Sequence, residues 1–242
     1  MNRSEFRDSL LRVVKHKEHW AWSAFVRGQV AEALLPIHLQ QEYATYVRDF
    51  PVLLGRAYVQ CGQRQARRIL AEHLFELETG SLSGSGPHED LFLACPRGLG
   101  MNMTRFQEIT LLPKAAEFRA VLDRATCDQG WEVAAAVTIL FLEGSEGGFT
   151  EAPLGRRPIP VRPSHQSPSR RRSDTAAALT RAGCALAGSS RREAWHLMLD
   201  LVTENARPRV LQWMGLVSRG WQHYRDDVAR ACGLADSASV SR

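Results

Sequence analysis

Residues 210–224 read VLQWMGLVSRGWQHY. Val210, Trp213, Met214, Val217, Trp221 and Tyr224 recur at the three- and four-residue steps that gather apolar side chains on one face of an α-helix. Pro208 stands where such a helix can open, and the spacing predicts a helix over roughly 207–232. The same period spreads outward through the chain. Leu10, Val13, Val14, His16, Trp20 and Phe25 stripe a first helix over about 4–27, with Gly28 as its stop. A second opens at Pro36 and carries Leu39, Tyr43, Tyr46, Val47, Phe50, Leu53, Leu54 and Tyr58, with a kink expected at Pro51. Ile69, Leu70, Leu74 and Leu77 mark a third over 63–79, closed by Gly80 and the loop SLSGSG. A short helix is expected over 87–93. Longer ones are expected over 104–127, with Pro113 able to split it, over 130–144 and over 175–205.

No period-2 run and no Asn-Gly or Asp-Gly hairpin stands against this, so the fold class is all-α, a bundle of about seven to eight helices. The chain has 242 residues, of which 44% are hydrophobic and 24% charged, enough for one full core without disulfides. Residues 1–235 read as one domain, and 236–242 as a disordered tail. The stretch 147–173, GGFTEAPLGRRPIPVRPSHQSPSRRRS, holds five prolines and six arginines and reads as a solvated basic loop. A net charge of +5 on 31 basic and 26 acidic residues is too small to indicate nucleic acid. No run of 18 apolar residues is present, which argues against a membrane span. The five cysteines form no CxxC pair, and a reduced, cytoplasmic protein fits them.

Three stretches resemble a known family. EYATYVRDFP (42–51) resembles a Tyr-rich second helix leading into Phe-Pro. ARRILAEHLFELETG (66–80), followed after a loop by PHEDLF (87–92), resembles a Leu-rich helix, an acidic pair, a Gly and then a His. AAAVTILFLEGSE (134–146) resembles an inner helix whose central Glu faces a pocket. Together they are similar to the haem-oxygenase-like superfamily, with its pyrroloquinoline-quinone synthase and thiaminase II branches. The nearest branch is that of the iron-containing di-metal oxidases and oxygenases, the type of the chlamydial protein associating with death domains.

The resemblance implies an oxygen-dependent oxidoreductase acting on a small molecule in a biosynthetic pathway, with one or two iron ions or none as cofactor. A small-molecule substrate or ligand is the implied partner, and a homodimer is a common assembly of such relatives. Carried over residue by residue, it makes Glu78, His88 and Glu143 the metal ligands. Glu78 lies one residue beyond the matching position, which Leu77 occupies, and one residue turns a helical side chain by about 100°. The remaining ligands of that branch, His-x3-Asp-x2-His on one helix face, fall on Gly183, Ala187 and Ser190, none of which holds iron. A frame moved by six residues gives Ser189, Glu193 and His196. The metal site therefore reads as degenerate. A non-catalytic relative that binds a ligand or a protein, and a metal-free enzyme of the quinone-synthase kind, stand as alternatives.

Tyr43 and Tyr46 share a helix face and are candidates for lining a pocket or donating protons, with core packing as the commoner role. His16, His19 and His38 read as ordinary histidines, His16 and His19 among surface charges. For an enzyme of the thiaminase II kind Cys127 and Cys184 are the candidate nucleophiles by location, with packing as the commoner role of a lone buried thiol. Trp195, Trp213 and Trp221 read as core or interface aromatics.

Overall fold

A computed structural model describes residues 1–143 and 190–236. Among these residues every regular element is a helix, no strand occurs, and the helices form an all-α bundle. Helix α1 (Arg3–Lys15) opens on a capping box in which Asn2 and Glu5 satisfy each other's backbone N–H groups. A short α2 (Trp22–Val26) follows, then α3 (Leu35–Glu42), α4 (Phe50–Gln60), α5 (Arg64–Thr79), α6 (His88–Gly98), α7 (Pro113–Cys127), α8 (Trp131–Ala135), α9 (Ser190–His196) and α10 (Arg207–Ala231). Three π-helical segments interrupt the bundle. Tyr43–Val47 continues α3, Ala136–Leu142 continues α8, and Leu197–Leu201 continues α9. A π turn inserts one residue into the ladder and re-aims the side chains beyond it, and such turns concentrate at functional sites.

The long α10 lies along α7, and α4 lies between α5, α7 and α8. The face read from the sequence of α10 is the buried one: Val210, Met214, Val217, Trp221 and Tyr224 all enter the core. Gly220 lets α7 come close, because a Cβ there would stand 3.1 Å from the Phe118 ring, which stacks on Tyr224 at 5.5 Å. Gly80 ends α5 with φ +61, and its missing side chain leaves room for the Gly86 carbonyl to fold over it.

The first expected helix is broken. Residues 16–21 leave the helical path because Lys17 and His19 turn inward: Lys17 Nζ donates to the carbonyls of Phe141 (2.7 Å) and Leu142 (3.0 Å), and His19 Nε2 meets Asp226 at 3.1 Å. His16 stays exposed, whereas His19 is buried, contrary to the surface reading. Pro51 does not kink a continuing helix. It sits in the first turn of α4, and the irregularity precedes it as the π segment 43–47. Helix α6 runs past the expected Leu93 to Gly98, with Pro96 inside it. Pro113 begins α7 instead of splitting a longer helix. The loop 147–173, Gly183, Cys184, Ala187 and the tail beyond 236 lie outside the described residues. No described helix is long and apolar enough to cross a membrane.

Candidate active site

Helix α5 buries Ala66, Leu70, His73 and Leu77, four residues spaced by four, three and four. His73 thus occupies a core position of an otherwise apolar stripe. Burial disfavours its charged form and pushes its pKa down to about 4, with the Glu76 carboxylate pulling the other way. The imidazole is therefore neutral near pH 7, with one N–H and one lone pair.

Two carboxylates face this ring from opposite sides. Glu143 Oε2 stands 3.8 Å from Nδ1, and Glu193 Oε2 stands 3.7 Å from Nε2. The side chains of His73 and Glu143 are 3% and 9% exposed, while that of Glu193 is 51% exposed, so the group runs from the interior to the surface. The distances exceed a hydrogen bond, and among the described residues Nε2 has no hydrogen-bond partner.

A π segment sets Glu143. Its N–H reaches back five residues to the Thr138 carbonyl (3.1 Å), while the Thr138 hydroxyl donates to the Ala134 carbonyl (2.7 Å). Lys17 holds the end of that segment through the two carbonyls just before Glu143. Glu193 comes from α9, directly before the π segment 197–201. On the same helix His196 points elsewhere, pairing with Asp200 at 2.8 Å, which Arg3 also binds at 2.9 Å. Of the expected ligand frames, the shifted one therefore brings Glu193 to the site. Ser190 is the first residue of α9.

The expected metal ligands stand apart. Glu143 is buried against His73. Glu78 is exposed and borders a shallow surface groove with Arg48, Leu77, Glu89 and Asp90. His88 is buried at the start of α6 and stacks on Phe50 at 5.3 Å; among the described residues its Nδ1 has no hydrogen-bond partner, and burial pushes its pKa down to about 4. Among the described residues no three His, Cys, Asp or Glu side chains are grouped to hold a metal ion. Glu78, His88 and Glu143 are thus not one ligand set. His73 offers its two nitrogens to different carboxylates, so one ion cannot take all three donors. The described donors do not fit a pair of iron ions.

Tyr43 and Tyr46 both sit in the first π segment and both donate to carboxylates, Tyr43 to Glu89 and Tyr46 to Glu42, each at 2.5 Å. Tyr43 packs on Phe92 and Phe106 at one end of the bundle, the arrangement expected of packing tyrosines with satisfied hydroxyls. Tyr46 belongs to a second interior cluster that the sequence did not disclose. His38 Nε2 lies 3.4 Å and Arg225 Nη1 3.9 Å from Glu42 Oε2, and Arg225 Nη1 lies 3.3 Å from His38 Nδ1. The Arg225 guanidinium is surrounded by Trp22, Phe25, Trp221 and Tyr224, with ring centroids 5.6–5.8 Å away. Imidazole, guanidinium and phenol together hold the Glu42 carboxyl below its ordinary range in spite of burial. His38, read as unremarkable, is a buried member of this cluster, and desolvation and then Arg225 press its pKa down to about 4.

His73 is the buried histidine that the sequence reading passed over. Its signal was a histidine in the buried register of α5, between Leu70 and Leu77. Cys127 is an exposed thiol, away from any nucleophilic role in the core. Neither a protein-family model nor a curated protein matches this chain.

Proposed function

We propose that this chain is a haem-oxygenase-like oxidoreductase that uses dioxygen to oxidise a small molecule in a biosynthetic pathway, with His73 as its general base. The observation that carries the reading is the neutral, buried imidazole set between Glu143 and Glu193. A neutral histidine that faces carboxylates inside an apolar bundle offers a lone pair that can take a proton from a bound substrate. The π segments support the reading, because two of the three lie in the helices that present the two carboxylates. Oxygen dependence and the biosynthetic setting come from the family resemblance. Catalysis without a resident metal, as in the quinone-synthase branch, agrees best with the described donors.

Oxygen uptake by the full chain over a panel of small amines and aromatic amino compounds, with parallel metal analysis of the protein, tests this. The expected result is substrate-dependent uptake that His73→Gln lowers by a hundredfold or more. Uptake that needs added iron and survives His73→Gln would place the chemistry elsewhere.

A second reading rests on Gly183, Ala187 and Ser190, small residues where the resemblance expects His, Asp and His. It makes the chain a ligand-binding relative without turnover. Saturable ligand binding with no oxygen uptake across the same panel is its expected signature.

A further inference from the structure

Helices α4 and α5 form a hairpin whose outer face is apolar along much of its length. Val52 and Val59 stand two turns apart on α4, on the side away from the buried Phe50, Leu53, Leu54 and Ala57, and are 56% and 77% exposed. Gly55 lies between them, with open space where a side chain would be. On α5 the side away from Leu70, His73 and Leu77 carries Arg64, Arg68, Ala71, Phe75 and Glu78, all exposed, Phe75 by 50%. Val52 and Glu78 border one surface groove, so the outer faces of the two helices are continuous. Valine and glycine both weaken a helix relative to alanine, and on the solvent side nothing in the bundle offsets that cost. They suit a face that other helices cover closely.

The charges on α5 identify the covering surface. Arg64, Arg67 and Arg68 precede Ala71, and Glu72, Glu76 and Glu78 follow it. Four of these six have partners: Arg67 donates to the Cys61 carbonyl, Arg68 lies 3.9 Å from Glu72 on its own helix, and Glu76 accepts from the Leu82 and Ser83 N–H groups. Among the described residues Arg64 and Glu78 have no ion-pair partner. They stand fourteen residues apart, close to four turns, and Ala71 lies midway between them. A two-fold axis through Ala71 sets two α5 helices antiparallel. It places Arg64 opposite Glu78 of the partner subunit and Glu78 opposite Arg64 of the partner subunit. Ala71 at the axis lets the backbones approach. Phe75 falls against the side-chain stems of Arg67 and Arg68 of the partner subunit.

We propose that the outer face of α4 and α5 is a homodimer interface, in which two copies of this chain pair α5 against α5 about Ala71. This pairing is independent of the reaction proposed above. The sixteen residues of α5 extend about 24 Å and two helices about 20 Å across, which is at the lower end of specific interfaces and sets the expected dissociation constant in the micromolar range.

Sedimentation velocity of the full chain, from low to high micromolar concentration, measures the pairing. A monomer–dimer equilibrium is expected. Arg64→Glu and Glu78→Arg should each weaken it about tenfold or more, because either change turns the attractions across the axis into repulsions. An equal mixture of the two variants should pair again, since every carboxylate then faces a guanidinium, and so should the double variant. Val59→Glu should weaken pairing as well while the unfolding temperature stays within a few degrees, its side chain being exposed. A chain that stays monomeric at the highest concentration, single variants that associate like wild type, or a mixture that fails to pair would overturn the proposal. Association that survives Val59→Glu unchanged would put the contact on another face and overturn it equally.

Discussion

Arg225→Met should destabilise this protein severely, and the loss should be recovered by a second substitution that removes a charge. The guanidinium lies 3.9 Å from the Glu42 carboxylate, with Arg225 4% and Glu42 22% exposed. At that distance and an effective dielectric near 20, the attraction is about 4 kcal/mol. Methionine fills the aromatic surround but leaves Glu42 with His38, Tyr46 and the more distant Lys17 charge. Breaking one side of a buried pair costs roughly 3–5 kcal/mol, because the remaining charge stays desolvated. For a chain of this length that is a fall in Tm of roughly 10 °C. Adding Glu42→Gln keeps an oxygen for the Tyr46 hydroxyl and removes the stranded charge, so the double variant should regain most of the loss. Wild-type Glu42 has a folded pKa below its unfolded one, so its contribution is present above the unfolded value and fades as pH falls through the folded one. The gap between wild type and Arg225→Met should therefore be widest at neutral pH and close in acid. Urea unfolding of the three proteins at pH 7 and pH 3 measures all of this. A single variant within about 1 kcal/mol of wild type, or a double variant no better than the single, would refute the role assigned to the pair.

The buried histidines set a second pH response of the same sign. His88 has a folded pKa of about 4, held there by burial alone, against about 6.5 when unfolded, so the unfolded chain takes up protons first as pH falls. Its contribution is complete above pH 6.5 and is lost between 6.5 and 4 at up to about 1.4 kcal/mol per pH unit. His88→Phe, which keeps the stack on Phe50, should flatten the decline from pH 7 to 5 by about 2 kcal/mol in urea titrations. Gly80→Ala should cost about 2 kcal/mol or more, since its Cβ would fall 2.0 Å from the Gly86 carbonyl oxygen at a φ of +61; thermal melting reads this directly. Lys17→Met leaves the Phe141 and Leu142 carbonyls without their ammonium, and should cost about 2–3 kcal/mol while loosening the π turn that sets Glu143. Hydrogen exchange at the amides of 139–143 should rise more than at those of α7.

Much of the bundle was legible because its signal is local. The stripe on α10 and the stripe and closing glycine of α5 appear within about one residue of where their spacing puts them. The failures have a common cause. Residues 16–21, 43–47 and 136–142 depart from the regular helix for partners far away in sequence, such as Lys17 for Phe141 and Leu142. Periodicity carries no trace of such pairings. The site was half legible on the same ground. Glu143 could be picked because it ends an apolar run. His73 sat unremarked in its stripe, and Glu193 entered only as part of a shifted frame, because their meeting depends on how α5 and α9 pack. Glu78 failed for a local reason: the step from Leu77 turns it out to solvent.

The nitrogen chemical shifts of His73 in protein labelled with 15N-histidine, followed from pH 3 to 8, test the central claim most directly. The account predicts a neutral ring at pH 7, with protonation only near pH 4. A ring that is already cationic at neutral pH would contradict it, because His73 would then offer no base to a substrate.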